Sequence, residues 1–248
     1  MPNPSEEYKN RNVPTLQEYD EIFGKADLIE NEYFRLRVKA LIALVKKFGK
    51  RRKELAMLKR RDFKVNGEFL EVTFTIAKKH KKGLFQYFEE LKKTNPEGLN
   101  KPYPVLVDEW KEWREKELNL NVVVQRRTKK VNTRDKYAKM IIEYLVYLRD
   151  YCPKAKYFFP SGKAVFNNYF VIEDKHLSGR QLLRLIKPLA PTMWLHLLRE
   201  GKGAEISRDN GMNITAVTEV KNMLDLEKEE TAWRYVRRYA IQEAKAEM

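Results

Sequence analysis

The chain has 248 residues, 43% of them hydrophobic, which is enough for one large domain or two small ones. Its 50 Lys and Arg outnumber 35 Asp and Glu, and the formal charge of +15 indicates a polyanionic partner, most simply nucleic acid. No apolar run reaches the roughly 18 residues that span a bilayer, and the N-terminus has no signal-peptide core, so we expect a cytoplasmic protein with no membrane partner.

Cysteine and histidine, two common metal ligands, are sparse. The single cysteine, Cys152, rules out an intrachain disulfide and a cysteine-based metal cluster. The three histidines, His80, His176 and His196, lie far apart and show no metal-binding spacing. We therefore expect chemistry that needs neither a metal nor another cofactor.

The N-terminal residues predict an arm followed by a helix. Residues 1–12 are polar and contain two prolines, so we expect a flexible arm ahead of a single domain over residues 13–248. Thr15 and Glu18 have the spacing of a capping box, which predicts the start of a short helix through Phe23.

The next stretch predicts a long helix, a short helix and a hairpin. Apolar residues recur at three-to-four spacing over 31–48, and Gly49 suits the end of that helix. A short helix over 52–58 should follow. Asn66-Gly67 predicts a two-residue turn leading into a strand over 69–76.

The middle of the chain is less regular. Helical spacing is present over 105–118 and 134–148. The basic segment between them, residues 125–130, allows either a surface that faces phosphates or a solvated loop, and we favour the loop.

The last third predicts one short strand and several helices. Residues 157–162 read as a buried strand closed by a turn, and Ser178 as the start of a helix. Gly201 and Gly203 are expected to break the helix that begins at Pro191. Further helices are expected from about residue 204, over 215–224 and over 229–246. The fold class is therefore α+β, mostly α, with a small antiparallel sheet near the N-terminal third.

Chemistry-bearing residues recur at marked places along the chain. They are a basic residue after the first long helix, a lysine after the hairpin strand, a His-x-x-Arg pair and a C-terminal tyrosine: Arg51, Lys78, His196, Arg199 and Tyr235.

The residues around these five form an ordered set of patterns. Residues 49–63 read Gly-x-Arg-x-x-Glu-Leu-x-x-Leu-x-x-x-Asp-Phe. A Phe-Pro segment, a Thr-x-x-x-His-x-x-Arg segment (192–199) and a Leu-x6-Thr-x3-Tyr segment (224–235) follow in that order. Over roughly residues 13–242 this set resembles the catalytic domain of tyrosine recombinases, the phage and plasmid integrase family. The resemblance implies a helical bundle of that catalytic-domain type.

The resemblance also implies DNA cleavage and rejoining through a 3′-phosphotyrosyl intermediate, with Tyr235 as the nucleophile. Arg51 and Arg199 would hold the phosphate oxygens, because guanidinium groups stay charged and bind two oxygens at once. His196 would assist the tyrosine or contact the phosphate. Lys78 would give a proton to the leaving 5′-oxygen.

Neighbouring residues compete for these roles. Arg52 adjoins Arg51, and Lys79 is the second candidate for the proton donor. Tyr239 lies one helical turn after Tyr235, and the alternative for both tyrosines is packing in the core. Further candidates for DNA contact are the basic residues after the hairpin strand and in the 125–130 segment: Lys79, Arg126, Arg127, Lys129 and Lys130.

The sequence departs from the family's pattern beside two site residues. The family usually has Gly-His, or a Trp, nine residues before the tyrosine, where this chain has Asp225 and Leu226. Glu200 stands after the second arginine, where His is common. Both replacements would hold the phosphate less firmly. The alternative function is therefore a DNA-binding protein on the same fold with weakened or no catalysis.

Residues 86–155 are longer than the family's usual connection, and we expect a helical insertion there. The resemblance implies double-stranded DNA as the partner. It raises a homotetramer on DNA as one arrangement, which the sequence does not decide. A nucleoid- or chromosome-associated protein of prokaryotic, archaeal, viral or plasmid origin would suit such a function.

Overall fold

The structure is a computed structural model, and it describes residues 13–76, 84–117, 125–165, 168–226 and 228–246. The predicted N-terminal arm and two of the candidate lysines, Lys78 and Lys79, lie outside these residues. The helices are α1 (Leu16–Lys25), α2 (Glu32–Phe48), α3 (Arg52–Ala56), α4 (Leu84–Thr94), α5 (Tyr103–Glu117), α6 (Lys136–Tyr151), α7 (Gly179–Ile186), α8 (Leu195–Asp209), α9 (Ile214–Met223) and α10 (Glu229–Ala246). The strands are β1 (Phe63–Asn66), β2 (Phe69–Ile76), β3 (Gln125–Asn132), β4 (Pro160–Val165) and β5 (Asn168–His176).

The local signals in the N-terminal third are confirmed. Glu18 N–H donates to the Thr15 hydroxyl at 3.2 Å, and Thr15 N–H donates to the Glu18 carboxylate at 2.7 Å, which is the predicted capping box. Helix α2 ends at Gly49, whose φ of +56° is the left-handed conformation that glycine adopts without strain. Strands β1 and β2 pair antiparallel across the Asn66-Gly67 turn.

Helix α2 lies at the centre of the main hydrophobic core. Its apolar residues from Ala40 to Val45 are all buried, and it packs against α6 and α8. Tyr144 of α6 packs edge-on against Phe158, with ring centroids 5.0 Å apart. This burial fixes the end of α2, where the first candidate site residues begin.

A smaller hydrophobic cluster joins the last three helices. Val217 and Val220 of α9 pack with Val236 of α10 and with Ile206 of α8. The cluster therefore sets how α10, which carries both candidate tyrosines, lies against α8.

The sheet that contains the hairpin has a third strand. Its order is β1-β2-β3, and the Thr73–Thr128 and Glu71–Lys130 side-chain contacts run in opposite directions along β2 and β3. The loop predicted for residues 125–130 is wrong, because these residues form β3. Charged residues on an edge strand do not interrupt the backbone ladder, and such strands often carry lysine.

A second sheet was not anticipated. Strands β4 and β5 form an antiparallel pair. The strand predicted over residues 157–162 is displaced, since β4 begins at Pro160, and β5 was not predicted.

The helix break predicted at Gly201 and Gly203 is also wrong. Helix α8 runs without interruption through Gly201 and Gly203. A Cβ on Gly201 would lie 2.7 Å from the Tyr19 ring, and one on Gly203 would lie 2.9 Å from the Tyr235 ring. Both glycines allow another element to approach α8 closely rather than ending the helix.

The described residues up to Phe74 and from Arg127 onward form one compact unit, and Thr75–Arg126 forms a second. Within the second unit, Trp113 on α5 donates to Glu90 on α4 at 2.9 Å. Helix α6, which falls inside the predicted insertion over 86–155, belongs to the first unit and packs on α2. The insertion itself stays a prediction. Across the described part of the chain, no helix has both the length and the apolar character needed to cross a bilayer.

Gly49→Ala and Gly67→Ala should separate backbone strain from a steric clash. Both glycines have a φ near +57°, so alanine at either position costs about 1 kcal/mol in strain. A Cβ on Gly49 would also lie 2.4 Å from the Leu224 side chain, whereas nothing lies within 4 Å of one on Gly67. We expect Gly49→Ala to lower the free energy of unfolding by about 1–3 kcal/mol more than Gly67→Ala. Urea denaturation measures the difference, and equal losses would contradict this packing.

Candidate active site

Arg199 lies in the second turn of α8 and is buried, with 1% of its surface exposed. Its Nη1 donates to the carbonyl oxygen of Gly49, and its Nη2 donates to that of Leu224. Those carbonyls stand at the ends of α2 and α9, where backbone oxygens lack partners inside the helix. Arg199 thus connects the ends of two helices.

Arg51 lies close to this point. It caps the N-terminus of α3 and follows Gly49 by two residues, so two Cα–Cα steps of about 3.8 Å separate them. The buried Glu54 carboxylate accepts from the Arg51 backbone N–H at 2.8 Å and from its Nη1 at 2.9 Å. The Arg51 side chain remains 45% exposed. The Arg-x-x-Glu spacing therefore positions an arginine that solvent, and hence a ligand, can reach.

Tyr235 lies against the same helix as Arg199. Its ring packs on Gly203, which is one helical turn, or about 6 Å of rise, beyond Arg199. Tyr239 lies near Arg208, whose pKa it helps to raise, after Asp209 as the main cause. Arg208 is about 13 Å of rise beyond Arg199. Of the two tyrosines, Tyr235 is thus placed nearer to Arg199 along α8.

His196 stands three residues before Arg199 on α8 and is 54% exposed. Its Nε2 lies 3.3 Å from a carboxylate oxygen of Glu200, one turn later. Glu200 is mostly buried and so holds the imidazole at the surface of this helix.

A buried charge cluster adjoins these residues and includes groups that sequence reasoning missed. Asp225 and Lys50 form an ion pair in which neither side chain is more than 1% exposed. The other carboxylate oxygen of Asp225 lies 3.1 Å from Nη1 of Arg127 and 3.7 Å from Nζ of Lys129. The sequence singled out Asp225 only as a departure from the family's glycine, and Lys50 not at all.

Strand geometry explains which basic residues of β3 join the cluster. Alternate residues of a strand point to opposite faces, so Arg127 and Lys129 share one face, with Asp225. Lys130, on the other face, pairs with Glu71 at 2.7 Å and is 61% exposed. Arg126 is exposed as well. Of the four residues predicted to contact DNA in this segment, Arg127 and Lys129 therefore lie beside Asp225. The other two, Arg126 and Lys130, are exposed.

Burial lowers the pKa of Lys50 from 10.5 to about 8, and the hydrogen bond and charge of Asp225 oppose that effect. Among more distant groups, Lys129 lowers this pKa further and Glu54 raises it. The ammonium also lies 4.8 Å from the centre of the Phe74 ring. Lys50 is therefore charged at neutral pH mainly because Asp225 faces it.

The comparisons with known proteins bear on the fold. No family model and no curated protein sequence matches this chain. Its structure is similar to that of the XerH site-specific recombinase bound to difH substrate in a pre-cleavage complex, with a TM-score of 0.55 and 14% identity over 95% of this chain. The post-cleavage complex of XerH with a palindromic difH substrate gives the same TM-score, identity and coverage. This chain spans about half of the XerH chain, 52% and 53% in the two complexes.

At this level of identity the similarity shows the fold alone. The chain is mostly helical with small antiparallel sheets, and it shares this architecture with the XerH site-specific recombinase. The fold class predicted from the sequence is confirmed. The roles of the individual site residues stay predictions.

Arg199→Ala should destabilise the fold far more than Arg51→Ala. Charged hydrogen bonds contribute about 1.5–3 kcal/mol each, and Arg199→Ala leaves two buried carbonyl oxygens without their donor. We expect a loss of at least about 3 kcal/mol, against less than about 1 kcal/mol for the half-exposed Arg51. Urea denaturation of both variants is the measurement. Comparable losses would show that the Arg199 bonds do not stabilise this part of the fold.

Lys50 should make stability rise with pH in the alkaline range. Its pKa is about 8 when folded and 10.5 when unfolded, so between these values the unfolded chain binds more protons. The free-energy cost of burying the charged Lys50 ammonium is fully present below pH 8. This cost is relieved as the pH rises to 10.5. We expect the free energy of unfolding, relative to Lys50→Met, to increase by up to about 1.4 kcal/mol per pH unit. Urea denaturation at pH 8, 9 and 10 checks this, and a constant or falling difference would contradict it.

Proposed function

We propose that the protein binds double-stranded DNA and cleaves and rejoins it as a tyrosine recombinase, with Tyr235 as the nucleophile. The observation that supports this most is the gathering of three predicted residues around one part of α8. Arg199 donates to the backbone two residues before Arg51, and the Tyr235 ring packs one turn further along the same helix. The first and last of these residues, Arg51 and Tyr235, are 184 positions apart in the sequence.

The proposed step conserves the number of phosphoester bonds. The phenolic oxygen of Tyr235 attacks phosphorus, the bond to the 5′-oxygen breaks, and the tyrosine keeps the 3′-phosphate. The phenolic proton leaves toward His196, and the 5′-oxygen gains a proton from Lys78 in this scheme. Attack by a 5′-hydroxyl reverses the step, so no nucleotide energy source is required.

The arginines supply the electrostatic part of the proposal. Negative charge builds up on the non-bridging oxygens during attack, and a guanidinium held in place stabilises it without reorganisation. Arg51 is held by Glu54 and is half-exposed, so it is the arginine that a phosphate meets first.

Double-stranded DNA as the partner is supported by the charge of +15 and by the fold. XerH, whose fold this chain shares, is a site-specific recombinase bound to its substrate in the compared structures. Exposed basic side chains on β3, Arg126 and Lys130, offer contacts to the backbone of a duplex.

DNA binding without cleavage is the second candidate function. It is favoured by the burial of Arg199, whose Nη groups bind backbone carbonyls, and by the Asp225 carboxylate beside Lys50. Leu226, where the family has His or Trp, offers no side-chain donor to a phosphate. This function predicts tight, salt-sensitive binding and no covalent product.

Substitution of the two tyrosines tests the enzymatic proposal. The probe is a library of nicked, random-sequence duplexes, which traps a covalent adduct because the short fragment that carries the freed 5′-hydroxyl diffuses away and cannot reverse the step. We expect Tyr235→Phe to reduce the adduct on a denaturing gel by at least about 100-fold, since phenylalanine has no attacking oxygen. Tyr239→Phe is the matched control and should retain the adduct to within about twofold.

The other possible results of this adduct experiment decide between the two tyrosines and between the two candidate functions. Loss of the adduct in Tyr239→Phe alone would move the nucleophile to Tyr239. An adduct that survives in both variants would refute the use of either tyrosine. Absence of an adduct in the unsubstituted protein, with duplex binding that weakens steeply with salt, would establish the second candidate instead.

A further inference from the structure

Asp225 adopts a backbone conformation that an aspartate seldom takes. Its φ is +49°, in the left-handed region, directly after the residue that caps α9. Asn and Asp tolerate this region better than most side chains, but glycine would occupy it at no cost. The conformation directs a carboxylate into the protein, where 1% of the side chain is exposed.

Cations from two separate elements surround that carboxylate. Lys50, from the segment after α2, binds one oxygen, and Arg127, from β3, binds the other at 3.1 Å. Nζ of Lys129 lies 3.7 Å from the same oxygen as Arg127 and also donates to the Asn222 carbonyl at 2.7 Å. Three positive groups thus face one negative group. Glu54 is the other carboxylate that influences Lys50, and it is bound to Arg51.

The cluster reaches from the interior to the surface. Lys50 is fully buried, Lys129 is 20% exposed, and Arg127 is 44% exposed. Arg127 therefore lies on the solvent side of the cluster. An anion that replaced the carboxylate would enter from solvent beside Arg127 and Lys129.

A phosphate presents the same features to these cations as the carboxylate does. Both carry two or more oxygens that accept charge-assisted hydrogen bonds from a guanidinium and an ammonium group. We propose that Lys50, Arg127 and Lys129 form a phosphate-binding site that the Asp225 carboxylate fills in the free protein. Asp225 is then an internal competitor of the phosphate. The source of that phosphate, a DNA backbone, rests on the proposed function, whereas the site itself does not.

Asp225→Asn removes the competing charge and keeps a residue suited to positive φ. The probe is inorganic phosphate, compared with chloride at equal ionic strength, and the measurement is thermal unfolding. If phosphate fills the vacated site, its presence at about 50 times its Kd should raise the Tm of Asp225→Asn by about 5 °C. The Tm of the unsubstituted protein should rise by less than about 1 °C.

Glu205→Gln is the matched control. Glu205 pairs with Lys46 at 2.9 Å and Lys202 at 3.3 Å, and burial lowers the pKa of Lys46 as it does that of Lys50. This variant also leaves a buried lysine without its carboxylate and adds one positive charge, but beside Lys46 and Lys202 and not beside Lys50. We expect no specific gain from phosphate. Equal phosphate shifts in both variants, or no shift in Asp225→Asn, would overturn the proposal.

A second variant keeps the test decisive if Asp225→Asn is unstable. Asp225→Gly accepts the same φ without strain, and either variant can be refolded in phosphate or in chloride. Recovery of folded protein only in phosphate supports the site. Equal recovery in both salts overturns it.

Duplex binding distinguishes a DNA phosphate from a free one. The slope of log K against log salt changes by about 0.9 for each phosphate contact, so Asp225→Asn should show a slope steeper by about one and Glu205→Gln should not. An unchanged slope would overturn DNA as the source, even where inorganic phosphate stabilises the variant. Absence of any duplex binding would instead refute the proposed function and leave the phosphate measurement as the test of the site.

Discussion

The pair of hydrogen bonds from Arg199 to the Gly49 and Leu224 carbonyls holds the candidate site together. Each carbonyl ends a helix, and a helix C-terminus carries partial negative charge, so one buried cation satisfies two helix ends at once. The bonds also fix the segments beside them, because Arg51 follows Gly49 and Asp225 follows Leu224. Gly49 itself permits the contact, since a side chain there would meet Leu224.

The two candidate arginines differ in what their side chains contact. The spacing around Arg199 predicts a phosphate ligand, yet its Nη groups are bound to the backbone and its surface is buried. Arg51 has the opposite character, because Glu54 holds it while half of its side chain faces solvent. Under the proposed function, a loss of activity in an Arg199 variant would therefore report stability as well as chemistry, whereas one in an Arg51 variant would be easier to attribute to phosphate binding.

Local features that depend on neighbouring residues could be predicted from the sequence. Features that depend on contacts between distant residues could not. The Thr15 capping box and the turn at Gly49 depend on a few adjacent residues, and both were identified. The sequence alone predicts a helix break at Gly201, because the partner of this glycine, the Tyr19 ring, lies 182 positions earlier in the chain. Spacing likewise brought out Arg199 and Tyr235 but not Lys50, since an ordinary lysine acquires its role only when folding buries it beside a carboxylate from the other end of the chain.

The turn between α9 and α10 combines these constraints in one short segment. Leu224 binds Arg199 through its carbonyl, and Asp225 binds Lys50 and Arg127 through its carboxylate. Any movement that withdraws this segment therefore exposes several cations together, not one at a time. Because α10 begins four residues after Asp225 and carries Tyr235, such a movement also acts on the helix of the proposed nucleophile. A phosphate that displaced Asp225, as we propose, would therefore also act on the start of the helix that carries Tyr235.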